Sequence, residues 1–247
     1  MLCCALAPAG GAELAQTIAA VKPSVVGIGT LLKLRSPAMQ FVATGFVTGD
    51  GLDIITNAHA LLALDSERQE ALGVLLPVGE NGVQFRPAQI VSVDREHDLA
   101  HLLLSGQPLP ALKLAEGGEL AEGTELALTG YPLAMALGLH AATHRALLAA
   151  VTPIVLPSAT SGKLSSAAIM QLQRPPFMIY QLDATAFPGN SGSPVYEPHT
   201  GLVVGIINMV FVKGLKENAI SNPSGIAYAV PVRHVRELMQ RKGPAQK

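Results

Sequence analysis

From residue 24 onward a turn signal punctuates the chain about every ten residues, and between the turns stand short runs rich in Val, Ile and Thr. That rhythm constrains the fold more than any other feature. Runs this short cannot build long helices, so they must pair with one another to satisfy their backbone groups. Residues 24–34, 40–48, 53–56, 72–78, 83–93 and 98–104 read as strands, with Gly49-Asp50-Gly51 marking a hairpin. Residues 109–118, bordered by Pro108 and containing Pro110 and the pair Gly117-Gly118, read as a connector. A second set follows at 125–129, 145–154, 177–183, 192–196, 203–211 and 226–230. Helical spacing is confined to the ends: Leu14, Ile18 and Val21 share a face before Pro23, and residues 232–241 close the chain. The expected class is all-β, a pair of antiparallel barrels bracketed by short N- and C-terminal helices. The polar, Ser-rich stretch between Pro157 and Pro176 lacks a sustained period and reads as a surface loop.

With 247 residues, 49% hydrophobic and 14% charged, the chain has the composition of a globular protein with a substantial core. Seventeen Lys and Arg against eighteen Asp and Glu leave a net charge of −1 with no long basic run, which excludes nucleic acid as the expected partner. The mean hydropathy of +0.36 raises the question of a membrane segment. No uninterrupted apolar run reaches the roughly 18 residues that a spanning helix needs, so none is expected. Leu2 to Ala9 resembles the end of a secretory apolar region followed by small residues, without the charged segment that normally precedes it. Residues 1–12 therefore read as the remnant of a signal segment, and residues 13–243 as the body of the protein. Cys3 and Cys4 both lie in that remnant. A cysteine-free body has no disulfide framework and suits a bacterial envelope or a reducing compartment. Nothing in the composition assigns an oligomeric state.

One loop carries chemistry, Gly189-Asn190-Ser191-Gly192-Ser193-Pro194. Its glycines permit positive φ and let bare N–H groups approach a bound carbonyl, although the same residue types also make ordinary turns. A serine hydroxyl becomes a useful nucleophile when an imidazole takes its proton, and the imidazole needs a carboxylate to fix its tautomer and stabilise its charged form. Among seven histidines His59 stands apart, because it follows Thr56-Asn57-Ala58 at the end of an apolar strand. His97, His101, His199 and His234 have no such setting. His140 and His144 stand four apart, a spacing a metal can use, but no third ligand accompanies them, and neither metal nor cofactor is expected. Asp94 and Asp98 compete as the carboxylate. Asp98 precedes Leu99-Ala100-His101-Leu102-Leu103-Leu104 and would open a buried strand, whereas Asp94 lies in a polar turn with Arg95 and Glu96. The order His59, Asp98, Ser191 is that of one of the known convergent triads.

Together the segments TNAHA, DREHDLAHLLL, QLDATAFPGNSGSPV and GIAYAVPV resemble the trypsin-like serine peptidases of the HtrA/Deg type, within the chymotrypsin superfamily. The resemblance implies His59 as general base, Asp98 as its orienting carboxylate and Ser191 as nucleophile. The oxyanion hole would come from the loop Gly189, Asn190 and Ser191, through the N–H groups of the first and last. It also implies two six-stranded barrels with the triad at their interface, residues 13–116 and 117–243, the latter including the closing helix. Thr185, six before the nucleophile, would lie at the base of the substrate pocket and carries no charge to select Arg or Lys. Asn208, Met209, Val210 and Phe211 would form a neutral, shallow wall. The implied activity is that of a serine endopeptidase cutting polypeptides after small or medium apolar residues, in a bacterial periplasm or outside the cell. The competing reading is a catalytically idle module of the same fold that binds peptides or protein partners. Three features depart from the family pattern. Ser193 stands where Gly is usual, residues 133–173 match poorly, and neither a following PDZ domain nor peptide-triggered control through one is expected.

Overall fold

The computed structural model describes residues 11–64, 70–79, 82–154, 177–208 and 225–241. Six strands make the first barrel: β1 (Val25–Leu31), β2 (Met39–Thr48), β3 (Asp53–Asn57), β4 (Ala71–Val78), β5 (Gly82–Asp94) and β6 (Leu99–Leu104). Six more make the second: β7 (Glu125–Gly130), β8 (Ala142–Pro153), β9 (Met178–Asp183), β10 (Pro194–Tyr196), β11 (Val203–Ile207) and β12 (Ile226–Pro231). Both sheets close, in the orders β1-β2-β3-β6-β5-β4 and β7-β8-β9-β12-β11-β10, so the second barrel repeats the wiring of the first. Every pairing between neighbouring strands of the two barrels is antiparallel. The all-β, two-barrel expectation holds, and helices α1 (Gly11–Val21) and α3 (Val232–Gln240) stand at the two ends.

Local differences have local causes. The strand expected from residue 192 begins only at β10, because Gly192 has φ +86° and turns the chain. A short helix, α2 (Ala134–Leu137), interrupts the poorly matching region between β7 and β8. Helix α1 starts at Gly11, inside the stretch read as a signal remnant. The expected loop between Pro157 and Pro176, and residues 209–211, lie outside the described residues.

Three apolar cores hold this arrangement. Val26, Ile28, Val47, Ile54, Val74 and Leu102 fill the first barrel. Leu126, Leu128, Leu148, Leu182, Val204 and Ile207 fill the second. The third core lies between the barrels, where Phe46, Ile55 and Leu99 meet Tyr131, Tyr196, Ile206 and Val230, with Val232, Val235 and Leu238 of α3 beside them. Strand alternation explains how one strand serves two cores: Ile54 points into its barrel and its neighbour Ile55 to the interface, and both are fully buried. Burying such a side chain contributes roughly 1.5–3 kcal/mol, so the interface is stabilised as a barrel interior is. The Tyr131 hydroxyl donates to the Val25 carbonyl across the seam at 2.9 Å, and burial pushes its phenol up to about 12.

Candidate active site

His59 sits on the 3₁₀ turn Ala58–Ala63 that leaves β3, and the β3–β6 register brings Asn57 opposite Leu99, next to Asp98. Asp98 takes the left-handed conformation, φ +54°, uncommon for any residue but glycine. Its carbonyl is held there by the Ala58 N–H and the Asn57 side-chain amide, each at 3.0 Å. The carboxylate is thereby turned to His59. Oδ1 accepts the His59 backbone N–H at 2.8 Å, and Oδ2 lies 2.6 Å from His59 Nδ1. Because a carboxylate only accepts, this contact puts the imidazole proton on Nδ1 and leaves Nε2 with a lone pair. Asn208 donates its side-chain amide to the same Oδ2 at 2.9 Å. Asn208 was expected in the pocket wall; it is fully buried and directs that amide to the carboxylate.

Asp94 is engaged elsewhere. It accepts the N–H groups of Glu96 and His97, lies 2.8 Å from His97 Nδ1 and pairs with Arg241 at 2.7 Å. Burial pushes its carboxyl up, but the hydrogen bonds and charge of His97, with Arg241, outweigh burial and hold it well below the usual carboxylate range. The His97 ring stacks on His234 of α3 with centroids 3.8 Å apart, and Phe177 meets His97 edge-on. This cluster ties the turn carrying Asp98 to the closing helix.

The loop around Ser191 rests on the first barrel. Thr44 of β2 donates its N–H to the Ser191 carbonyl at 2.9 Å and its hydroxyl to the Gly189 carbonyl at 2.7 Å. Thr56, just before His59, donates its hydroxyl to the Thr44 carbonyl. Residues Phe187 to Asn190 form a turn closed by the Asn190 N–H on the Phe187 carbonyl at 3.0 Å, with Gly189 at φ +102°, which is type II geometry with Pro and Gly at its two central positions. A Cβ at Gly189 would lie 2.4 Å from the Tyr131 carbonyl oxygen, so only glycine fits. The other backbone groups can be accounted for one by one. The Pro188 carbonyl accepts from Leu133, the Asn190 carbonyl from Ser193, and the Gly192 N–H donates to Ile207. Among the described residues, the N–H groups of Gly189 and Ser191 are the two in this loop left without a partner. Asn190, expected in the oxyanion loop between the two donors, has its own N–H committed to the Phe187 carbonyl.

Thr185 is half-buried in the irregular stretch between β9 and this turn, while Met209, Val210 and Phe211 lie outside the described residues. His140 and His144 do not share a helix. His144 is on β8 near the Phe187 ring, and burial lowers its pKa. Sequence reasoning missed Thr44, Leu133 and the orientation of Asn208. No local signal marks them, since each acts on a residue far along the chain.

Residues 43–206 match the profile of the trypsin-like peptidase domain. The mitochondrial serine protease HTRA2 of Drosophila pseudoobscura pseudoobscura is 27% identical over 208 residues, covering 83% of this chain and 40% of the relative. A probable periplasmic serine endoprotease, DegP-like, of Halomonas elongata is 26% identical over 199 residues, covering 80% of this chain and 34% of the relative. The chain thus spans well under half the length of these relatives. The Rv3671c protease of M. tuberculosis in its active form superposes with a TM-score of 0.66 at 21% identity, covering 100% of this chain and 95% of that one, which supports the shared fold. The expected resemblance to HtrA-type enzymes is borne out by these relatives. No helix among the described residues is long and apolar enough to cross a membrane. With the profile covering well over half of its residues, the chain belongs to the trypsin-like peptidase domain family.

Proposed function

We propose that the protein is a serine endopeptidase that hydrolyses polypeptides through an acyl-enzyme on Ser191. The observation that carries this reading is the His59–Asp98 pair together with a loop around Ser191 that is held against the first barrel by Thr44 and keeps the N–H groups of Gly189 and Ser191 unpartnered. His59 Nε2 takes the hydroxyl proton as Ser191 Oγ attacks the scissile carbonyl carbon, and Asp98, steadied by Asn208, stabilises the resulting imidazolium. The carbonyl oxygen, now negative, accepts from the N–H groups of Gly189 and Ser191; one such donor is worth about 10²–10³ in rate. Collapse of the intermediate breaks the C–N bond, and His59 delivers its proton to the departing amine. Water repeats the sequence to release the acid and restore Ser191. A fluorophosphonate probe tests the assignment: the wild-type protein should be labelled and Ser191→Ala should not. An idle peptide-binding module would leave Ser191 unlabelled.

The pocket reading follows from the same assignment. Thr185, which would lie at the pocket base, carries no charge, and Met209, Val210 and Phe211, which lie outside the described residues, are apolar in the sequence. Cleavage should therefore favour Val, Ile, Ala, Leu or Met over Arg and Lys, with apolar discrimination of ~1–3 kcal/mol. Sequencing the fragments of an unfolded test protein decides this, and a majority of cuts after Arg or Lys would remove the assignment. A bacterial envelope location is supported by the cysteine-free body and by the DegP-like relative described as periplasmic. Fractionation of expressing cells checks it.

A further inference from the structure

We infer that Thr44 and Leu133 are positioning residues that hold the oxyanion hole in its open geometry, an inference that rests on the catalytic reading of Ser191. The starting observation is backbone strain. Among the described residues, Asp98 and Leu133 are the only non-glycine residues with positive φ, at +54° and +53°. Asp98 is explained by the carboxylate it turns to His59. Leu133 has no such explanation in its own side chain, which is 38% exposed. It caps the four-residue helix α2, yet helix N-caps ordinarily take extended backbone, so the helix does not demand a left-handed residue either. What the conformation achieves is to aim the Leu133 N–H at the Pro188 carbonyl, 2.8 Å away.

That bond decides which way the Pro188–Gly189 peptide faces. In a trans peptide the N–H points opposite to the carbonyl, so holding the Pro188 oxygen toward Leu133 turns the Gly189 N–H away from it. The alternative turn, type I, requires negative φ at Gly189 and rotates this peptide by about half a turn, replacing the donor with a carbonyl oxygen. Thr44 secures the next peptide. Its hydroxyl donates to the Gly189 carbonyl at 2.7 Å and accepts the Tyr131 N–H at 3.0 Å, so one fully buried oxygen links the nucleophile loop to the segment that carries Leu133. The first barrel thus orients donors that belong to the second.

The test uses the whole chain, a fluorophosphonate probe and a fluorogenic peptide taken from the wild-type cleavage products. Thr44→Val should lower kcat and the labelling rate by about 10- to 100-fold with KM within about twofold, because the donors act on the transition state. Thr44→Ser, which keeps the hydroxyl, should stay within about threefold of wild type. Thr48→Val is the control: it removes another buried hydroxyl of β2, bonded to the Leu112 carbonyl away from the loop, and should leave the rate unchanged. Leu133 provides an independent arm at a half-exposed position. Leu133→Asn, which tolerates the left-handed region, should stay within about twofold, while Leu133→Val, which resists it, should lose about tenfold in kcat. Equal losses in Thr44→Val and Thr48→Val, or a Leu133 series in which Val is tolerated and Asn is not, would overturn the inference. A wild-type protein that never labels would instead overturn the catalytic reading itself.

Discussion

The turn after β3 and the turn after β9 hold equivalent places in the two barrels, since each follows the third strand of the same wiring; the first carries His59 and the second Ser191. The β5–β6 connection carries Asp98, and its counterpart after β11 carries Asn208, whose amide reaches back to Asp98. What differs is how each barrel holds its contribution. The first supplies ionisable groups on the short connection 95–98, braced by Asp94, His97 and Arg241. The second supplies a hydroxyl and backbone N–H groups on a loop whose carbonyls are held partly by Thr44 of the first barrel. The His59–Asp98 pair thus lies within one barrel, steadied from the second by Asn208, whereas the donors of the second are oriented by Thr44 of the first.

The sharpest test of this division is the removal of either group proposed to take part in proton transfer. Ser191→Ala and His59→Ala should each lower kcat by about 10⁶, and the double variant should be no worse, because the members act as a unit. Unchanged melting would show that the third core does not need them. Turnover in Ser191→Ala comparable to wild type would break the comparison at its root. Next in size, Asp98→Asn should cost roughly 10⁴ by favouring the wrong imidazole tautomer. Asp94→Asn should affect stability more than rate, and a reversed pair of results would mean that the bracing group and the orienting group have been exchanged.

Smaller effects probe the cores. Ile54→Ala in the first barrel and Leu182→Ala in the second, both fully buried, should each destabilise by about 2–5 kcal/mol in denaturant titrations. A single transition is expected in both, since the interface core joins the barrels; two separate transitions would show that the seam is weaker than its burial implies. Smallest is a pH effect. Burial lowers the His144 pKa, and burial followed by the charge of His97 lowers that of His234 against the pull of Glu237. A lowered histidine means that the unfolded chain binds protons first. The stability present above about pH 6.5 should therefore fall as pH drops through the folded values, and the share due to Asp94 should fall further below about 3.9. Denaturant midpoints at pH 7.5 and 5 check the sign, and His234→Gln should flatten the slope. A midpoint that rises on acidification would contradict it.

Much of this was legible before any coordinates. Twelve strand segments follow from short β-branched runs between turn residues, because a period of two and a Gly or Pro break are local properties. The two barrels follow from the connector that divides the strands into equal sets. His59 and Ser191 could be singled out because their neighbours, a strand end and a glycine-flanked turn, are adjacent in the chain. Helix α2 left no mark, since a four-residue segment has too little periodicity to read.

Residue types and their order thus came from the sequence alone, and with them the fold class and the candidates for proton transfer. Tertiary structure decided which of Asp94 and Asp98 meets His59, sent the Asn208 amide to a carboxylate instead of a pocket wall, and joined Thr44 and Leu133 to the loop around Ser191. The physical reason is that these assignments depend on the direction of hydrogen bonds between residues distant in the chain. A backbone N–H is the same donor in almost every residue, and where it points is set only when both barrels have closed and packed.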